Sequence, residues 1–277
     1  MSGGHRIRIR ALATLATAAA CLAAAPSAAL AVYPNSMSAL GDSITRAFNT
    51  CSFPFIDCPQ NSYATGTNTT VNSFYLRIRA ANPAVTGNAF NDARSGARMR
   101  DLPGQATTAA GRGVEYVGIE MGANDACTSS EETMTSVASY RADFETAINN
   151  LRTRLPGARI SVGSLPNIYQ LWSIFSRNRS ALSTWRNLGI CQSMLRNAES
   201  SARADEERRQ RVLQRVVEFN TVLREVCATY AQCKFDNNVG FNYRFETGDV
   251  STRDYFHPSI TGQRHIAEIE WGATWVF

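Results

Sequence analysis

Basic side chains other than arginine are scarce in this chain. Among 277 residues there are three histidines and a single lysine, Lys234. One of the histidines, His5, stands near the N-terminus, so histidine chemistry in the body of the chain must use His257 or His265. That excludes a histidine-rich metal site. No two cysteines have C-x-x-C spacing and neither late histidine lies near one, so zinc has no ligand set either. The lone lysine stands outside any Walker A loop, and His-Glu-x-x-His and the Gly-x-Ser-x-Gly elbow are missing. No metal and no organic cofactor is implied. Past residue 31 no apolar run is long enough to span a bilayer. No repeat and no Pro/Gly/Ser-rich linker divides the chain. With 44% hydrophobic residues, disorder is excluded as well.

What is present begins with a leader. Arg6, Arg8 and Arg10 form a positive start, Ala11 to Ala25 is apolar, and Ala29-Leu30-Ala31 is a small-x-small end. Those three zones are those of a secretory signal peptide cleaved after Ala31, leaving residues 32–277 as one domain. A membrane anchor fits less well, because the apolar stretch is short and broken by Thr14 and Thr17. A lipoprotein would use Cys21, but Ala18 stands where a larger aliphatic residue is usual. Cleavage removes three arginines and no acid, lowering the formal charge from +5 to +2. The basic balance therefore gives no argument for a nucleic-acid partner. Secretion, no stable membrane anchor and a monomer are expected.

Six cysteines remain after the leader: Cys51, Cys58, Cys127, Cys191, Cys227 and Cys233. An even number in an exported chain points to three disulfides. Proximity in sequence favours Cys51–Cys58 and Cys227–Cys233, which leaves Cys127–Cys191 to close a long loop.

Short apolar runs alternate with helical patterns. Strands are expected at 37–40, ending at Gly41; at 114–121, ending at Gly122; and at 159–165, stopped by Pro166. Weaker ones fall at 86–90 and 234–236. Helices are expected at 139–155, where Phe144, Ile148, Leu151 and Leu155 share a face, at 205–231 and at 262–275. This alternation predicts an α/β fold, a three-layer α/β/α sandwich on a mainly parallel, flavodoxin-like sheet of about five strands. In such sheets ligands bind beyond the C-terminal strand ends.

Polar clusters sit at those ends: Gly41-Asp42-Ser43, then Gly122-Ala123-Asn124-Asp125, with Asp254-Tyr255-Phe256-His257 near the C-terminus. Each alone is an ordinary turn or helix cap. Together with Gly96, and in this order, they resemble the four blocks of the SGNH (GDSL-type) serine hydrolases, with Ile44 in place of the usual Leu. The resemblance covers residues 36–275. It is nearest to the phospholipase B-like branch, through Ser62-Tyr63-Ala64-Thr65-Gly66, the stretch 97–103 and Leu165-Pro166-Asn167-Ile168.

The resemblance implies a triad of Ser43, His257 and Asp254. It also implies an oxyanion hole formed by the backbone N–H of Ser43, that of Gly96 and the amide of Asn124. Such a set suits acyl-ester hydrolysis, in which a serine needs a base and a developing oxyanion needs fixed donors. Asp42 and Asp125 are expected to organise their turns, and Ser95 to be structural. His265 falls in the last helix with no acid at matching spacing. Residues 168–190 are rich in large apolar side chains, including Trp172, Phe175 and Trp185, and read either as an acyl-chain groove or lid or as an ordinary core helix. The expected substrate is an ester with an apolar acyl chain, of lipid or phospholipid type. A short-chain or carbohydrate acetyl esterase, and a catalytically silent lipid- or glycan-binding protein, are the alternatives.

Overall fold

The computed structural model describes residues 1–4, 33–275 and 277, so the expected leader lies almost wholly outside the described residues. The chain divides into two units, Met1–Ala31 and Val32–Phe277. The second holds the whole sheet, both layers of the core and all three disulfides.

Its strands are β1 (Met37–Gly41), β2 (Ala89–Asn91), β3 (Tyr116–Glu120), β4 (Arg159–Val162) and β5 (Cys233–Phe235). They form one sheet in the order β2-β1-β3-β4-β5, and every pairing is parallel. Successive side chains of a strand face opposite ways, and β3 shows the consequence. Val117 and Ile119 join the core beneath the helices Leu102–Arg112, Val137–Arg154 and Arg203–Cys227. Tyr116 points to the opposite layer, where Phe74 and Ile78 of helix Phe74–Ala81 and Ala267 of helix Ile260–Trp271 pack. Strands that need apolar residues on both faces explain the continuous apolar runs of the sequence. The architecture is the expected three-layer sandwich.

Helices Phe74–Ala81 and Leu102–Arg112 were not among the expected elements. The second buries Leu102, Ala106, Ala109 and Ala110. Alanines give little contrast with a Thr- and Gly-rich outer face, so the helical period is faint.

Candidate active site

The turn after β1, which carries Ser43, is held by close packing and hydrogen bonds at Gly41 and Asp42. Gly41 has φ +154°, and a Cβ there would collide with the Thr45 side chain and the Glu120 carbonyl, so only glycine lets β1 lie this close to β3. The Gln105 side chain clamps the same residue: its Oε1 accepts the Gly41 N–H at 2.8 Å and its Nε2 donates to the Gly41 carbonyl at 2.9 Å. Asp42 Oδ1 accepts the Ile44 N–H at 2.9 Å, the turn role expected of it.

Ser43 Oγ lies 2.8 Å from His257 Nε2, and His257 Nδ1 lies 2.6 Å from Asp254 Oδ2. The other carboxylate oxygen of Asp254 accepts the N–H groups of Phe256 and His257 at 2.9 and 3.0 Å. Burial alone would raise the Asp254 carboxyl. The bond from His257, its charge and these two N–H donors outweigh that and hold it below the usual carboxylate value. Asn49 Nδ2 donates to Asp254 Oδ2, and Trp185 Nε1 donates to the carbonyl of Tyr255 at 3.0 Å. Ser251 N–H closes the loop onto the His257 carbonyl at 2.8 Å.

Gly96 and Asn124 stand at the ends of the neighbouring strands. Gly96 has φ +79°, a conformation that favours glycine. Asn124 Nδ2 donates to the Ala97 carbonyl at 3.0 Å. Asp125 ties the two loops, accepting from the Met99 N–H at 2.8 Å and the Thr135 hydroxyl at 2.6 Å. Among the described residues, neither the Ser43 nor the Gly96 N–H donates to a protein acceptor. Ser43 is buried, where an unpaired backbone donor is rare, whereas Gly96 is exposed. The Asn124 bond to Ala97 holds its loop against the one that carries Gly96.

His265, expected to have no acid at matching spacing in its own helix, finds one outside it. Asp249, sixteen residues upstream, lies 2.6 Å from its Nδ1, and Tyr243 OH lies 2.8 Å from the same atom. The pair is long-range in sequence and escapes a search at helical spacing. Arg264 Nη2 lies 2.7 Å from Nε2; since a guanidinium only donates, Nε2 is the acceptor there.

Residues 168–190 form two helices, Ile168–Phe175 and Arg179–Leu188, and not one. Ile168, Leu171, Phe175 and Trp185 are buried, and Trp172 Nε1 donates to the Ala198 carbonyl at 2.7 Å. The segment's apolar face therefore packs on the core, while residues 177–180 and 186–189 are exposed. Ile168 and Leu171, however, also wall a cavity of about 90 Å³, together with Ile44, Ala123, Phe256 and Pro258. Those last four are the chain neighbours of Ser43, Asn124 and His257. Glu120 and Glu270 also line this cavity. Burial pushes Glu120 up to about 8, with the charges of Asp42 and Asp236 adding, and pushes Glu270 well above the carboxylate range.

The disulfides are Cys51–Cys58, Cys127–Cys191 and Cys227–Cys233, the pairing that proximity favours. The second fastens the end of the 168–190 segment to the residue after helix Ala123–Ala126, which carries Asn124. Ser95, expected to be structural, donates to Asp57 Oδ1. Sequence reasoning missed Asn49, Gln105 and Gln263, and read Trp185 only as an apolar side chain. Gln263 accepts the Tyr63 N–H and donates to the Ile44 carbonyl, both at 2.8 Å. Each of these four acts across dozens of residues and carries no local signature. No group of three or more metal-binding side chains occurs among the described residues.

Known proteins bear on this site as follows. No curated protein matches the chain. Among solved structures, an extracellular lipase from Streptomyces rimosus is 18% identical, with 86% of this chain and 99% of that chain covered at a TM-score of 0.52. Phospholipase A1 from Streptomyces albidoflavus NA297 is 16% identical, covering 87% of this chain and 100% of that one at 0.45. A psychrotrophic esterase from Pseudoalteromonas is 12% identical, covering 86% and 96% at 0.41. A family model described as GDSL-like lipase/acylhydrolase matches residues 37–269. The chain thus belongs to the GDSL-like lipase/acylhydrolase family, whose members are serine ester hydrolases.

Proposed function

We propose that the protein hydrolyses carboxylic esters of apolar acyl groups through an acyl-enzyme on Ser43. His257 Nε2 takes the hydroxyl proton as Oγ attacks the ester carbonyl. The oxyanion is held by the N–H groups of Ser43 and Gly96 and by Asn124 Nδ2. Collapse expels the alcohol, which receives the proton from His257. Water then attacks the acyl-enzyme by the same route and releases the acid and the free serine. Asp254 keeps the proton on Nδ1 throughout and stabilises the imidazolium. The observation that carries this reading is the unbroken run from Ser43 Oγ through both imidazole nitrogens to Asp254, at 2.8 and 2.6 Å.

The cavity beside the site supports an apolar acyl group, and the three disulfides support a secreted protein. We take lipid esters as the substrate class, with the first carbons of the chain in the cavity. A short-chain esterase is the second reading, favoured by the cavity's size. At about 90 Å³ it is smaller than the roughly 150 Å³ that admits benzene. Rates on p-nitrophenyl acetate, butyrate and octanoate and on phosphatidylcholine decide between them. Higher turnover of octanoate and phosphatidylcholine is expected; preference for acetate selects the second reading. No hydrolysis of any ester overturns both.

A further inference from the structure

The segment Ser52–Ile56 is exposed without interruption, and four of its five residues are apolar: Phe53, Pro54, Phe55 and Ile56. Phe53 is 74% exposed, Phe55 53% and Ile56 43%, whereas most other large apolar side chains of the described domain are buried or half-buried. A run of this kind in a folded protein marks a contact surface.

The loop is rigid. The Cys51–Cys58 disulfide closes it, the Asn49 N–H donates to the Ile56 carbonyl at 3.0 Å, and Asn49 Oδ1 accepts the Phe55 N–H at 2.6 Å. Phe55 is held at φ +59°, a left-handed conformation that bulky residues avoid unless their surroundings impose it. At the base of the apolar tip sits one arginine without a carboxylate partner among the described residues, and a second that is paired. Arg253 Nη2 donates to the carbonyls of Cys51 and Ser52 and pairs with no carboxylate among the described residues. Arg46 Nε lies 3.0 Å from Asp57. The same base reaches the candidate site on two sides: Asn49 donates to Asp254, and Asp57 accepts from Ser95, the neighbour of Gly96.

We propose that the Cys51–Cys58 loop docks the enzyme on a phospholipid surface, its apolar tip among the acyl chains and Arg253 at the level of the phosphates. This layering, apolar outermost and guanidinium behind, matches the depth profile of a lipid–water interface. It places the mouth of the candidate site against the lipid. The inference rests on the proposed lipid-ester substrate but not on catalysis.

The test is flotation of the Val32–Phe277 unit with vesicles of phosphatidylcholine and phosphatidylglycerol, comparing wild type with Phe53→Ser/Ile56→Ser. Hydrolysis of dissolved p-nitrophenyl butyrate and sedimentation without lipid are read in parallel. The double substitution is expected to weaken partition by about tenfold or more, with butyrate hydrolysis unchanged within twofold. Wild type that fails to float, or a double variant that floats equally, overturns the proposal. Self-association that the double substitution abolishes, without flotation, assigns the surface to a second copy and overturns it too. Flotation without ester hydrolysis leaves docking standing and removes the hydrolase reading; hydrolysis without flotation does the reverse.

Discussion

Two histidine–aspartate pairs lie in the last quarter of this chain, with the same 2.6 Å contact between Nδ1 and a carboxylate oxygen. Their difference lies at Nε2. In His257 that nitrogen faces the Ser43 hydroxyl at 2.8 Å, a group with a proton to give. In His265 it faces Arg264, a guanidinium at 2.7 Å, which fills the lone pair a base would need. The first pair can take a proton from its neighbour and the second cannot. A carboxylate beside an imidazole is thus not a sign of catalysis; the partner of the opposite nitrogen decides. The second pair ties helix Ile260–Trp271 to Asp249, whose carbonyl accepts the Ser259 N–H at 2.7 Å below the His257 loop.

Asparagine at 254 breaks the first pair with the largest effect after loss of the serine itself. An Asn at this position can donate its amide to Nδ1, which forces the proton onto Nε2, where it points at Ser43 instead of accepting from it. Asp254→Asn is expected to lower kcat by about 10⁴ with the fold intact, measured by steady-state hydrolysis of p-nitrophenyl butyrate alongside circular dichroism. The matching change in the second pair, His265→Gln, is expected to leave kcat within about threefold. It removes the His265 donor from the buried Asp249 carboxylate, which keeps the Glu246 N–H and Tyr243 hydroxyl, so urea unfolding should show a loss of about 1 kcal/mol. A kcat loss near that of Asp254→Asn would erase the distinction between the pairs.

A third carboxyl sharpens the comparison from the other side. Glu120 has no imidazole; its Oε2 is buried without a partner, and burial raises its pKa to about 8. Between its unfolded value near 4.5 and about 8, the folded protein holds a proton that the unfolded chain has lost. Stability therefore falls as pH rises through that window. Asp254, held low, contributes the opposite sign: its stabilisation is present above the ordinary aspartate value and is lost as pH falls through the depressed one. Glu120→Gln is accordingly expected to stabilise the protein by roughly 1–3 kcal/mol at pH 8 and to change little at pH 4.5. Thermal melts across that range measure it, and a gain independent of pH would show that Glu120 is not the group concerned.

The sequence made the site legible where chemistry is local. Gly41-Asp42-Ser43, Asn124 and Asp254-x-x-His257 each sit at a strand end or in a tight turn, where four residues carry their own meaning. The strands were legible because both faces of the sheet are covered, which turns them into apolar runs such as Val114 to Met121. What holds the site was not legible. Gln105 clamps Gly41 from 64 residues away and Asn49 reaches Asp254 across 205. A glutamine or asparagine that bonds to distant backbone looks in sequence like any surface amide. The exposed loop was hidden for the opposite reason: nothing in the run Phe53-Pro54-Phe55-Ile56 separates it in sequence from a core segment, and only its accessibility marks it as a surface.

The distinction between the two histidine pairs rests on Ser43 being the one hydroxyl that a base activates. Exposure of the folded protein to a fluorophosphonate, followed by intact mass and peptide mapping, tests this directly. A single adduct on Ser43 is expected in wild type, with none in Ser43→Ala and full labelling retained in His265→Gln. Wild type that stays unlabelled, or an adduct that persists in Ser43→Ala, would contradict it.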